Sequence, residues 1–235
     1  LTNQLIVEYN PPHMAMQEWE MRQRQKGNTA GAEVARVLRE QYGDVPLPVA
    51  PERALDIVRF SPEQHGALTE RGRLIYAPTG QSIATLREKG RKFWSTWHEE
   101  YPDFENLPSR LTEIAIDPQE LFLPNSNRKT LAEQEKMIAK YSEKLAKEVP
   151  GVQAILGEAP DYVELAFLHL DATDERLFGE KYDYRYTRTK TPTVGSNVAL
   201  VGHFYAQRGL HVGNWVRDRR LGRVWASPLV VPSQK

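Results

Sequence analysis

The chain has 235 residues, 40% of them hydrophobic and 26% charged, a composition that suits a folded protein of one large domain or two small ones. It contains no cysteine, which excludes disulfides, thiolate nucleophiles and cysteine-ligated zinc, and its formal net charge of zero demands no polyanionic partner on average. That average hides an asymmetry, because residues from Arg176 onward carry a net +8 and residues 1–175 a net −8.

Leu5-Ile6-Val7 reads as a short strand before the Pro11-Pro12 turn, and Pro12 to Lys26 as a helix that Gly27-Asn28 breaks. A second helix is expected from Thr29 to Tyr42, where Val34, Val37, Leu38 and Tyr42 recur at helical spacing and imply one buried face; Gly43 stops it. Val45 to Pro51 is a proline-spaced connector. Ser61-Pro62-Glu63 starts another helix, with a capping hydroxyl, proline at the first position and an acid at the positive end. Arg73 to Tyr76 reads as a strand. Thr79 to Ser82 then leads into a longer helix whose apolar stripe is Ile83, Leu86, Phe93, Trp94 and Trp97, which ends in an exposed His98-Glu99-Glu100, and Pro102 closes the segment. The Thr79-Gly80-Gln81-Ser82 loop lacks the extra glycines and the lysine of a phosphate-gripping loop.

Leu111 to Ile116 alternates as a strand does and stops at Asp117-Pro118. Thr130 with Glu133 forms a capping box, opening an amphipathic helix to about Val149 with Leu131, Ile138, Tyr141, Leu145 and Val149 on its apolar face. A strand over Val152–Leu156 and a buried helix from Ala159 to about His169 follow. From Tyr182 to Pro232, short apolar runs alternate with glycine turns, as in several short strands. The expected fold class is α+β: a mostly helical domain over 1–105, and an α+β domain over 106–235 whose β-rich binding unit spans about 180–233.

No P-loop, dinucleotide fingerprint, nucleophile elbow or helical zinc motif occurs, so the sequence supports neither an enzyme nor a cofactor. A site assembled from distant residues leaves no such trace. His169 and Asp171 form the densest metal-ligand spacing, although a helix end followed by a new cap explains them better. In Tyr182–Lys190, a strand would align Tyr184, Tyr186, Arg188 and Lys190 on one face, suited to stacking bases and holding phosphates. The favoured reading of the same pattern is a half-buried strand whose tyrosines pack on the sheet. Arg217, Arg219 and Arg220 with Trp215 form a second dense patch, of the residue types that dominate interfaces.

The C-terminal third resembles the C-type-lectin-like fold, in the branch of formylglycine-generating-type domains and the variable proteins of diversity-generating retroelements. The features that carry this are Tyr186-Thr-Arg-Thr189, Gly195-Ser-Asn197, Gly209-Leu-x-Val212-x-x-Trp215 and Gly222 to Pro232. The resemblance implies a rigid apolar frame that displays replaceable side chains for binding. Those side chains would be His203, Tyr205, Gln207, Arg208, His211, Asn214, Trp215, Arg217, Arg219 and Arg220. It implies binding rather than catalysis, because the family's formylglycine-forming enzymes use cysteines that are missing here. The expectation is a non-enzymatic protein that recognises a protein or a glycan, possessing neither metal nor cofactor; the alternative is a nucleic-acid-binding protein using the basic, tyrosine-rich surface. No stretch is apolar enough to span a bilayer and no basic-then-apolar leader opens the chain, so no membrane insertion and a cytoplasmic location are expected.

Overall fold

The computed structural model describes residues 20–21, 24–25, 29–42, 55–95 and 97–233. The strand at Leu5–Val7, most of the helix over Pro12–Lys26, the Gly43 stop and the Val45–Pro51 connector lie outside the described residues. The chain divides into two compact units, Leu1–Leu55 and Asp56–Lys235. In the first, helix α1 (Thr29–Tyr42) buries Ala32 and Ala35. Val37, which periodicity placed on the buried face, is 45% exposed.

The second unit holds the remaining elements. They are α2 (Pro62–Thr69), β1 (Leu74–Tyr76), α3 (Ile83–Glu88), α4 (Pro102–Glu105), β2 (Ile114–Ile116), α5 (Leu131–Glu148), β3 (Val152–Ile155) and α6 (Ala159–Thr173), followed by β4 (Tyr186–Pro192), β5 (Asn197–Tyr205), β6 (Gly209–Val216), β7 (Val224–Trp225) and β8 (Leu229–Pro232). The fold is mixed α and β. One sheet has the order β1-β2-β8-β3 and is antiparallel throughout; the other has the order β6-β5-β4-β7, with β4 and β7 parallel.

Period-two alternation sorts the first sheet's side chains between two cores. Ile114, Ile116, Leu229 and Val231 join Tyr162, Val163 and Ala166 of α6, whereas Ala115 and Val230 join Ile138 and Leu145 of α5. The sheet therefore lies between two helices, α5 amphipathic and α6 buried from Ala159 to Phe167. Both caps read from the sequence form: Ser61 with Gln64, and Thr130 with Glu133, each bond the other's backbone N–H.

The structure corrects three expectations. The boundary near residue 105 falls inside the second unit, because β1 pairs with β2 across it, Leu74 opposite Ile116 and Tyr76 opposite Ile114. The β-rich stretch 180–233 is not self-contained: its last strand, β8, leaves the β4–β7 sheet and inserts between β2 and β3. The long aromatic helix does not form. α3 ends at Glu88, where Gly90 takes a φ of +83° and Arg91 N–H bonds Leu86 O at 3.0 Å, a glycine stop of the Schellman type. Phe93 and Trp94 are thereby released to the β6 edge. Leu210 N–H bonds Lys92 O and Trp94 N–H bonds Leu210 O, both at 3.0 Å. Gly209 permits this approach, since a Cβ there would sit 2.2 Å from Lys92 O. His98, expected on an exposed helix end, is fully buried against Glu105, with Nδ1 3.0 Å from Oε1.

Candidate functional site

The site grows from one irregularity in the β5–β6 hairpin. The strands pair antiparallel from Asn197 opposite Val216 to Tyr205 opposite Gly209, but the register shifts between Gly202 and Phe204. His203 is the extra residue, with a φ of +53°, a left-handed conformation that non-glycine residues seldom adopt. The inserted residue switches the parity of the strand, so Phe204 joins Ala199 and Val201 in the core. His203 stacks on Tyr186, with ring centroids 4.5 Å apart and planes at 23°. Gly202 makes this close pairing possible, as a Cβ there would lie 2.4 Å from Arg185 O.

Trp94, brought over by the pairing with Leu210, stacks on His203 at 5.7 Å and 18° and tilts over His211 at 5.1 Å. The Arg208 guanidinium lies 4.6 Å from the Trp94 ring centre. Tyr184, also left-handed at a φ of +57°, sets its ring edge-on to His203 at 5.1 Å. Trp94, Tyr184, His203 and Arg208 line a cleft of about 510 Å³, together with Glu180, Asp183, Tyr205 and Gln207. Tyr184 is 61% exposed and Trp94 39%, so two large rings face solvent at its rim. His203 beneath them is only 4% exposed, and neither ring nitrogen has a hydrogen-bond partner among the described residues.

Burial keeps the imidazoles neutral. It lowers the pKa of His203 below the ordinary 6.5 and takes His211 down to about 4, with the neighbouring His203 adding to the effect. His211 Nδ1 lies 2.9 Å from the Tyr186 hydroxyl. The bond to Asp183 pushes the Tyr205 phenol up to about 12. For His211 the sign is set by the unfolded chain, which takes up a proton near pH 6.5 while the folded ring resists until about pH 4. Stability is therefore full above pH 6.5 and falls as the pH drops through that window. With the ring's partial exposure allowed for, the His211 share is about 1–2 kcal/mol. Urea unfolding at both ends of the window should show this loss, and His211→Asn should reduce it.

The residues expected to form one binding face divide. His203, Tyr205, Gln207 and Arg208 line the cleft, and His211 lies under Trp94. Asn214, Trp215, Arg217, Arg219 and Arg220 belong to the opposite end of the hairpin, where Asn214 pairs with Ala199 and accepts from Asn197 Nδ2 at 2.8 Å. Trp215 is half-buried against Tyr186, Leu200 and Val224, rather than displayed.

The tyrosine row does not form either. The strand begins only at Tyr186, Tyr182 is buried in a short helical turn, and Tyr184 stands apart from both. Lys190 is exposed, whereas Arg188 is fully buried and cannot reach a phosphate. Its guanidinium donates to the backbone carbonyls of Val216, Arg217, Arg219 and Lys129 at 2.9–3.3 Å. Burial takes its pKa down to about 10, so it remains a cation at neutral pH.

His169 and Asp171 do not act together. His169 is buried, with Nδ1 2.6 Å from the Tyr76 hydroxyl, and Asp171 pairs with Arg91. Among the described residues, no three histidine or carboxylate side chains gather as a metal site would need. The Thr79–Ser82 loop does hold an anion, but it is the protein's own: Glu164 accepts from Thr79 N–H and Oγ1 at 2.9 Å, from Gln81 N–H at 3.1 Å and from the Ser109 hydroxyl.

Sequence reasoning missed Trp94, Glu180 and Asp183. Gly90 was the available signal for Trp94, since a glycine seven residues into the proposed stripe marks a stop; the two acids carried none. No helix among the described residues is long and apolar enough to cross a membrane. Compared with family models, curated proteins and solved structures, the chain matches none.

Proposed function

We propose that this chain is a non-enzymatic binding protein whose macromolecular ligand, a protein or a glycan, docks at the cleft beside the β5–β6 turn. The observation that carries the reading is the pair of solvent-facing rings, Trp94 and Tyr184, at the rim of a concave site that also offers Asp183, Glu180, Gln207 and Arg208. Large rings lose little conformational freedom on binding and dominate binding energies when a partner covers them. Planar acids, an amide and a guanidinium around them supply directional hydrogen bonds. The resemblance of the C-terminal third to C-type-lectin-like proteins supports a binding role, including one with replaceable contact residues. The carboxylates of Glu180 and Asp183 disfavour phosphates at this cleft.

A glycan array and a displayed-peptide library, each probed with the wild type and with Tyr184→Ala and Arg208→Ala, test this. Both positions are exposed, so the variants should melt close to the wild type. A ligand found on either platform should lose roughly 10- to 30-fold in affinity with each substitution. Ligands that bind both variants as well as wild type, or no ligand on either platform, would overturn the reading.

A further inference from the structure

Away from the cleft, two loops meet at the start of α5. Arg128 N–H bonds Leu221 O at 3.1 Å, Asn127 Nδ2 bonds Gly222 O at 3.1 Å, and Leu131 N–H bonds Arg217 O at 2.9 Å. Arg188 fastens the pair from below, through Lys129 O on one loop and Arg217 O and Arg219 O on the other. A Cβ on Gly222 of the opposing loop would lie 3.6 Å from Arg128 Nε.

This junction concentrates positive charge. Arg128, Arg217, Arg219 and Arg220 are exposed and Lys129 is half-exposed, with the buried Arg188 cation beneath them. The facing acids are Glu133 and Asp218. Glu133 is already engaged by the Thr130 N–H at 2.7 Å and by Arg220 at 2.7 Å. Asp218 is exposed in the turn. Among the described residues, Arg128, Lys129, Arg217 and Arg219 make no ion pair. They also sit at the N-terminus of an 18-residue helix, the positive end of its dipole, where cations are disfavoured. Such an arrangement raises the free energy of the isolated surface and is relieved by an anion. Guanidinium groups predominate in it, and they pair with phosphate through two parallel hydrogen bonds.

From this we infer that the junction of the 127–130 and 217–223 loops is a nucleic-acid-binding surface that grips the phosphate backbone through Arg128, Lys129, Arg217 and Arg219. It is separate from the cleft and does not depend on the cleft's ligand. Backbone grip predicts little sequence preference and a steep salt dependence.

Fluorescence anisotropy with short labelled DNA, duplex and single-stranded, tests the surface. Four phosphate contacts give a slope of log affinity against log salt of about −3.6 for duplex, or roughly 100-fold weaker binding between about 50 and 200 mM salt. The triple variant Arg128→Ala/Lys129→Ala/Arg219→Ala should flatten the slope by about three, each phosphate contact contributing about one. The charge-keeping counterpart Arg128→Lys/Arg219→Lys, in which Lys129 is unchanged, should keep most of it, which a merely structural role would not predict. Tyr184→Ala and Arg208→Ala should leave DNA binding unchanged. Absence of binding at about 50 mM salt, an unaltered slope in the alanine variant, or binding to phosphatidylserine-containing vesicles but not to DNA would each overturn the proposal.

Discussion

Replacing Glu164 by alanine is expected to destabilise the Asp56–Lys235 unit by about 4 kcal/mol. The Glu164 carboxylate is buried and takes hydrogen bonds from Thr79 N–H, Thr79 Oγ1, Gln81 N–H and the Ser109 hydroxyl, so it ties α6 to two separate loops. Alanine leaves the buried Ser109 hydroxyl and the part-buried Thr79 and Gln81 donors without their acceptor, and an unsatisfied buried donor costs about 1–3 kcal/mol. Glutamine is nearly isosteric but keeps a single carbonyl oxygen and turns an NH₂ toward the remaining donors. Its cost should approach that of alanine rather than vanish. For a unit of this size the melting temperature should fall by roughly 8–16 °C. Denaturant and thermal unfolding of Glu164→Ala and Glu164→Gln, beside the exposed control Glu175→Ala, measure this. A loss under about 1 kcal/mol in both Glu164 variants would show that the loop does not depend on its carboxylate.

Arg188→Lys should be almost as damaging, by about 3 kcal/mol, although it keeps the charge. The planar guanidinium reaches carbonyls on both the 127–130 and the 217–223 loops, with Nη1 shared between Val216 O and Arg217 O and Nη2 between Arg219 O and Lys129 O. A lysine ammonium has three donors on one nitrogen and cannot span that set. Arg188→Met removes the buried cation but leaves the same carbonyls unpaired, so it should not be milder. Both variants should also raise amide hydrogen exchange in the two loops while α5 stays protected. Exchange unchanged in the loops, with stability within about 1 kcal/mol of wild type, would refute the role of Arg188 as their common anchor.

These two residues show where sequence reasoning stops. Arg188 sits in a Tyr-Thr-Arg-Thr run that fits an exposed basic strand as readily as a buried one. What buries it is a set of carbonyls 28 to 31 residues onward, and one from Lys129. Glu164 reads as one polar residue in an apolar helix, and its donors lie 85, 83 and 55 residues away. The cleft is similar: Trp94 reaches His203 only through backbone pairing with Leu210, and no local pattern encodes that pairing.

The sequence by itself determined whatever neighbouring residues decide among themselves. The Ser61 and Thr130 caps, the apolar face of α5, the buried character of α6 and the existence of the C-terminal strands all follow from short-range hydrogen bonds and from periods of 3.6 and two. Tertiary structure alone decided which strands share a sheet, where β8 inserts, which bases stay in water and which one is swallowed, and that a bulge at His203 gathers rings around a cleft. The reason is physical: burial and long-range pairing set the free energy of a polar side chain, and both depend on residues that the local sequence does not contain.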